Sequence, residues 1–234
     1  LVTGVVSVRF AISRSKAGGI EAENEDRFAL SGNRFAVSDG ASDGFASDRW
    51  ASLLANAYSE SGEDFFLHLP ELRQRWQAEA TRDPLPWYAQ ARLERGAAAT
   101  LLGIEVSEDN TWKAVAVGDS NLFQVRGNEL ITAFPLTRAD DFSGMPLLLQ
   151  TRAGNPPPCQ IQSGTWETGD DIFLATDALA AWFLAETERG AAPWKWLRVL
   201  ADTGNFDHFL EEQRGLKRLR NDDTTLLHLR FDGV

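Results

Sequence analysis

One cysteine, Cys159, is all that the chain contains. It cannot close an internal disulfide, which fits a reducing compartment. It stands beside Pro156-Pro157-Pro158 with no base that can be named, which argues against a cysteine nucleophile. No run of 18 apolar residues exists, so no membrane-spanning helix is expected. Leu1 to Phe10 carries Arg9 and lacks a signal-peptide layout. These absences give a cytoplasmic expectation, although the chain starts at Leu1 rather than Met, which leaves room for an upstream segment. A Walker-type phosphate loop is missing. The three histidines, His68, His208 and His228, show no ligand-like spacing and read as structural or surface residues. Positive charge is also scarce: 23 Lys and Arg face 34 Asp and Glu, for a net charge of −11. That argues against nucleic acid or an anionic membrane as partner. A phosphorylated protein stays open, because a divalent metal can supply the missing local charge.

What is present is ordinary globular material. Hydrophobic content of 43% and charged content of 24% suit a soluble domain, and 234 residues suffice for one substantial core. With no internal repeat or low-complexity tract, residues 1–234 read as a single domain. Eight Trp point to a well-filled core or a groove. Val5 to Ile12 reads as a strand, then Asp26 to Leu30 and Arg34 to Ser38 as a hairpin turning at Ser31-Gly32-Asn33. Ala46 to Ser59 has one apolar face (Trp50, Leu53, Leu54, Ala57) and reads as a helix, followed by helical stretches over Asp64 to Arg82 and Trp87 to Arg95. Pro84 and Pro86 separate these two. Thr100 to Val106, Trp112 to Val117, Leu122 to Arg126 and Glu129 to Thr132 read as strands, the last two joined by a Gly127-Asn128 hairpin turn. Residues 134–160 form the least regular region and read as a flap-like loop. Strands Ile161 to Trp166 and Asp171 to Ala175, helices Leu179 to Glu188, Pro193 to Asp202 and Phe206 to Arg218, and a last strand Thr224 to Phe231 complete the chain. Strands cluster, then helices, which is an α+β pattern rather than strict alternation.

Acidic motifs recur along this plan: Asn24-Glu25-Asp26, Asp39-Gly40, Gly118-Asp119-Ser120, Thr176-Asp177 and Asp222-Asp223. Most sit at the edge of an apolar, strand-like run. Carboxylates at strand ends, gathered by folding, make an all-oxygen site for a hard cation such as Mg²⁺ or Mn²⁺. Each motif alone has a plain reading as well. Asp39-Gly40 can be a simple turn, Asp177 a helix N-cap, and Gly118-Asp119-Ser120 a solvated turn. Adjacent Asp222 and Asp223 repel one another unless solvent or a cation relieves them.

Order and context together resemble the metal-dependent protein serine/threonine phosphatases, the protein phosphatase 2C family in a compact, divergent bacterial form. The carrying residues are Asn24-Glu25-Asp26, Asp39-Gly40 with Asp43-Gly44, Gly96 to Thr100 (GAAAT), Gly118 to Asn121 (GDSN), Thr176 to Ala178 (TDA) and Asp222 to Thr225 (DDTT). The match runs from Val5 to Phe231. The resemblance implies a four-layer α-β-β-α sandwich, with two central antiparallel sheets flanked by helices. It also implies two Mn²⁺ or Mg²⁺ ions, with a third held more weakly. Asp39 would bridge the two ions, Glu25 and the Gly40 carbonyl would serve one, and Asp177 and Asp222 the other. Asp119 would help hold the third, and Asp26 would support from behind. Asp39, Asp177 and Asp222 are thus the implied catalytic set, and residues 134–160 the position of a mobile flap.

The implied activity is hydrolysis of phosphoserine and phosphothreonine in proteins by a metal-bridged water, acting in bacterial signalling against a Ser/Thr kinase. Four positions depart from the family pattern. Glu21 stands where many bacterial members carry a phosphate-binding Arg, leaving Lys16 or Arg14 as substitutes. Ala178 replaces a Gly, Asn121 replaces an Arg, and the loop from Asp39 to Gly44 is one residue longer. An alternative reading follows from Glu21: an inactive pseudophosphatase that binds phosphoproteins. The intact carboxylate set favours the enzyme.

Overall fold

A computed structural model describes residues 2–3, 6–82 and 87–232. Val5, Pro84 and Pro86 lie outside the described residues. In chain order the described elements are β1 (Val2–Thr3), β2 (Val6–Arg14), β3 (Arg27–Ser31), β4 (Arg34–Ser38), α1 (Ser47–Ser61), α2 (Leu69–Ala80) and α3 (Trp87–Arg95). Next come β5 (Ala98–Ala99), β6 (Leu101–Val106), β7 (Thr111–Val117), β8 (Asn121–Arg126), β9 (Glu129–Phe134), β10 (Leu149–Gln150) and β11 (Gln160–Thr165). The chain closes with β12 (Asp171–Ala175), α4 (Asp177–Glu188), α5 (Pro193–Thr203), α6 (Phe206–Gly215) and β13 (Thr224–Phe231).

Two antiparallel sheets carry the fold, one ordered β1-β2-β13-β12-β8-β9 and the other β11-β7-β6-β4-β3. The alternation of side chains along each strand decides what the sheets bury. In β12, Ile172 and Leu174 point between the sheets, while Phe173 and Ala175 point at helices. In β4, Phe35 and Val37 face inward and Ala36 faces out, and in β7 Trp112, Ala114 and Ala116 face in while Val115 and Val117 face out. The outer face of one sheet packs on α1 and α2 through Trp50, Leu54, Tyr58 and Trp76. That of the other packs on α4, α5 and α6 through Trp182, Phe183, Leu197 and Phe209. The result is the expected α-β-β-α sandwich. All five residues of β12 are buried, which explains the apolar run Ile172 to Ala175 that follows its buried Asp171. Truncating Phe173 or Leu174 to Ala should cost about 2–5 kcal/mol, as cavity-making changes do.

The hairpin between β3 and β4 and the Gly127-Asn128 turn between β8 and β9 form as read, with Arg126 opposite Glu129. Several boundaries differ; β2 runs on to Arg14 and β9 to Phe134. The stretch from Asp64 to Arg82 is not one helix: a 3-10 segment, Gly62–His68, precedes α2, which starts beside Pro70 because proline lacks the N–H that a continuous helix needs. α6 ends at Gly215, and Lys217 turns the chain with φ 56°. α4 begins two residues early, so Asp177 lies in its first turn and Thr176 takes the N-cap position. Among the described residues no helix is long and apolar enough to cross a membrane. His68 and His208 are exposed, and His228 is buried against Asp171.

Candidate active site

Strand ends from both sheets meet at one edge of the sandwich. Asp39 follows β4 and Asp119 lies in the turn from β7 to β8, which crosses between the sheets. Asp177 follows β12, and Asp222 precedes β13. Asp39, Gly40, Asp119, Asp177 and Asp222 line one cleft of about 280 Å³, together with Thr100, Phe142, Gly144, Pro146, Leu148 and Arg220.

A network of short side chains holds these ends in place. Asp39 N donates to Thr100 Oγ1 at 3.0 Å, and that hydroxyl lies 2.8 Å from Ser120 Oγ. Thr100, last residue of the GAAAT segment, therefore ties the Asp39 turn to the Asp119 turn. Ser38 Oγ donates to the Thr100 carbonyl at 2.5 Å. Thr176 Oγ1 donates to Asp26 Oδ2 at 2.8 Å and accepts from Thr225 N at 2.9 Å. Thr176 is thus engaged across the sheet end, and Asp177 is not an N-cap. Asp223 accepts from Lys16 N at 2.9 Å and from Glu25 N at 2.7 Å, so its two oxygens stitch two loops to β13. The repulsion expected of Asp222-Asp223 is relieved by these amides.

Gly40 has no room for a side chain: an added Cβ would sit 2.9 Å from Glu25 O and from the Ser47 backbone. The ladder bonds beside it run from Thr100 N to Asp39 O and from Ala41 N to Ala98 O. The Gly40 carbonyl is left out of that ladder. Gly118 adopts φ 103°, a conformation glycine tolerates, and packs against Thr100.

The electrostatics are those of a crowded anion cluster. Burial raises Asp39 well above the usual carboxylate range, and the charges of Asp26, Asp177, Asp119 and Asp222 push the same way. Burial lifts Asp26 to about 8 against the hydrogen bonds from Thr176 and Thr225, and lifts Asp119 to about 6 with help from Asp177. Asp177 is raised by burial, lowered by Arg220 and raised again by Asp222, with a net rise. Glu25 is raised by burial, against a hydrogen bond from Ser42. Asp26 Oδ1 and Asp177 Oδ1 are buried with no hydrogen-bond partner. Bare carboxylates at this density are unfavourable unless a cation joins them.

That donor set fits a hard divalent ion: carboxylates, a free backbone carbonyl, and two unpartnered oxygens. As they stand, among the described residues, no three Asp, Glu, His or Cys side chains are drawn into ligating distance. Arg220 is part of the reason, since its Nη2 sits 2.5 Å from Asp177 Oδ2.

The remaining candidates separate. Asp26 is buried outside the lining and accepts from Thr176 Oγ1. Glu25 stands beside the cleft rather than lining it, near Ser42, which does line it. Lys16 is in the neighbouring loop, near enough to Glu25 to lower its pKa, but outside the lining. Arg14 is drawn away: its Nε donates to Asp207 at 2.6 Å and its Nη1 to Ser13 O. Glu21 also lies outside the lining. Arg220 went unremarked as a site residue in the sequence, although its place two residues before Asp222 was a usable signal. Residues 134–160 cover the cleft through Phe142, Gly144, Pro146 and Leu148. Asn121 pins the base of this segment through paired bonds to Leu136, 3.0 and 2.8 Å. Leu149 is buried, and its carbonyl accepts from Trp50 Nε1.

The cleft is acidic and lies at the edge of two stacked sheets, with Arg220 its one basic lining residue among those described. A family model, Protein phosphatase 2C, matches residues 21–220, and the chain belongs to that family of phosphatase enzymes. No curated protein matches the chain significantly by sequence. Among solved structures, the serine/threonine phosphatase PstP/Ppp of Mycobacterium tuberculosis is similar with TM-score 0.67 and 19% identity, over 98% of this chain and 100% of that one. A catalytic domain of PstP in complex with two manganese ions is similar with TM-score 0.62 and 18% identity, over 98% and 99% of the two chains. Stp1 from Staphylococcus aureus gives TM-score 0.65 and 12% identity, over 97% and 95%. At these identities the likeness is one of fold.

Proposed function

We propose that this phosphatase hydrolyses phosphoserine and phosphothreonine in proteins with two bound Mn²⁺ or Mg²⁺ ions. One observation carries the reading: four carboxylates from four separate segments line a single cleft, Asp39 is raised by burial and by the charges of the others, and the Asp177 Oδ1 oxygen is unpartnered. Asp39, Asp177, Asp222 and the Gly40 carbonyl hold the ions, with Glu25 reached from the side of the cleft. Asp119 serves a third, weaker ion. When bound, such a pair lowers the pKa of water so that hydroxide is available near neutral pH, and it neutralises phosphoryl oxygens. The chain supplies the rest. Thr100, Ser120 and Thr176 fix the carboxylates' backbones, and Asp26 holds Thr176 in turn. Phe142, Pro146 and Leu148 wall one side and limit water. The flap they belong to carries exposed Met145 and Leu147, which suit contact with a protein chain flanking the phosphorylated residue. The solvent-facing substrate is a phosphoprotein, such as the product of a Ser/Thr kinase.

The test is phosphate release from a phosphothreonine peptide with Mn²⁺ and with EDTA. Release that needs Mn²⁺ supports the reading. Mn²⁺ binding by calorimetry without any release would favour a phosphoprotein-binding module instead.

A further inference from the structure

Among the described residues lining the cleft, Arg220 is the one basic side chain, set among Asp39, Asp119, Asp177 and Asp222. A phosphomonoester enters as an anion. Any ions bound there face the carboxylates, so the phosphoryl oxygens pointing away from them need a separate donor. A guanidinium is suited to that task, since its planar fork can give two parallel hydrogen bonds to a phosphate.

The backbone around Arg220 is firmly held while its side chain is not. Leu219 is buried among the helices of one outer layer, and its N donates to Gln213 O at 3.2 Å. Asn221 accepts from Ala17 N at 2.7 Å and donates back to Ala17 O at 3.2 Å. The Asp222 carbonyl accepts from Arg214 Nη2 at 2.7 Å. Arg220 itself projects from this fixed base with its side chain 50% exposed, resting on Asp177 Oδ2. The arginine end of the pair is open to water while Asp177 is only 16% exposed, so the guanidinium can swing to a new partner once a cation takes over the charge of Asp177. Other cations nearby are committed or displaced. Arg14 holds Asp207, Arg214 holds the Asp222 carbonyl and Thr224 Oγ1, and Lys16 does not line the cleft.

We propose that Arg220 is the substrate-phosphate ligand of this enzyme, exchanging Asp177 for the phosphoryl oxygens when Asp177 takes a divalent ion. The proposal rests on the phosphatase reading above. Arg220 sits on Asp177 Oδ2 and Oδ1 is unpartnered, so an ion taken up by this carboxylate would draw off the negative charge that holds Arg220. Arg220 thereby stands in for a basic residue that the sequence lacks at Glu21.

Two variants of the full chain test it, Arg220→Ala and Arg220→Lys, with thermal unfolding of each as a control for folding. The readouts are Mn²⁺ affinity by calorimetry, inorganic phosphate affinity of the Mn²⁺-loaded protein, and KM and kcat for a phosphothreonine peptide. In Arg220→Ala, phosphate binding should weaken about ten- to hundred-fold, as loss of hydrogen bonds from a charged donor does. KM should rise in parallel, and Mn²⁺ should bind the same or more tightly. Arg220→Lys should recover part of the phosphate affinity, because it keeps the charge and loses the fork. Unchanged phosphate affinity in Arg220→Ala overturns the proposal. So does a loss of phosphate affinity that merely follows a loss of Mn²⁺. If the wild-type protein releases no phosphate from the peptide, the phosphatase reading fails on its own, and phosphate affinity still decides the role of Arg220.

Discussion

Asp171 and Asp177 flank the same buried strand, β12, and their surroundings push them in opposite directions. Asp171 is fully buried and crowded by two arginines and a histidine. His228 Nε2 lies 2.6 Å from one oxygen, Arg198 Nε donates to the other at 2.9 Å, and Arg230 Nη1 approaches both at 3.3 Å. Burial alone would raise it, but His228 and Arg198 outweigh burial and hold Asp171 below the usual range. Asp177, at the other end, has Arg220 on one oxygen and nothing on the other, and three more carboxylates share its cleft. It is raised. One end of the strand carries its own counter-charges, so its carboxylate stabilises the fold. The other leaves its charge unmatched, which is useful only if a ligand completes it.

The sharpest way to break this contrast is Asp39→Asn. Removing one anion from the cleft should cut Mn²⁺-dependent phosphate release on the order of a thousand-fold or more. The unfolding midpoint should hold or rise, because a buried, repelled charge has gone. A stability loss would show instead that Asp39 is structural. The reverse experiment is Asp171→Ala. It strands His228, Arg198 and Arg230, and should cost about 3–5 kcal/mol in denaturant unfolding. Turnover per folded molecule should be unchanged.

pH sharpens the same pair. The folded-state pKa of Asp171 is depressed from its ordinary 3.8. Its stabilisation is therefore complete above pH 3.8 and drains as pH falls through the lower folded value. Unfolding followed across that window should show an acid limb that Asp171→Asn flattens. A limb of the same depth in the variant would assign it to other groups.

Two smaller effects concern the approaches to the cleft. Asn121→Ala removes both bonds to Leu136 at the base of the 134–160 segment. It should cost about 1–3 kcal/mol and raise KM for a phosphopeptide more than it lowers kcat. Arg14→Ala breaks the Arg14–Asp207 pair and the bond from Nη1 to Ser13 O. It should change stability by about 0–1 kcal/mol and leave KM alone. A KM rise with Arg14→Ala would return that residue to the phosphate site.

The strands and helices were largely legible because their signals are local. Apolar runs in β4 and β7, an apolar face on α1 and Gly127-Asn128 between β8 and β9 all lie within short windows. The misplaced boundaries came where one residue dominates its neighbours: Pro70 inside an otherwise helical stretch, and Lys217 reversing the chain after α6. In the cleft, Asp39, Gly40, Asp119, Asp177 and Asp222 were readable because each ends or begins a strand, and strand ends are visible in sequence. The pairing of Arg14, offered beside Lys16 as a phosphate ligand, was invisible in the sequence because its partner Asp207 is 193 positions away. Arg220 was passed over for the same reason: its partner Asp177 is 43 positions upstream.

By itself the sequence determined the alternation that makes two sheets with two covered faces, and it supplied acidic residues at the strand ends in an order that resembles one phosphatase family. Only the tertiary structure decided which charges are neutralised. Asp171, Asp177 and Asp223 are the same residue in similar local settings. One meets two arginines and a histidine, one meets Arg220 and other anions, and one meets two backbone amides. Solvation and Coulomb energies depend on distances through space, and the partners that set them are brought together from remote parts of the chain.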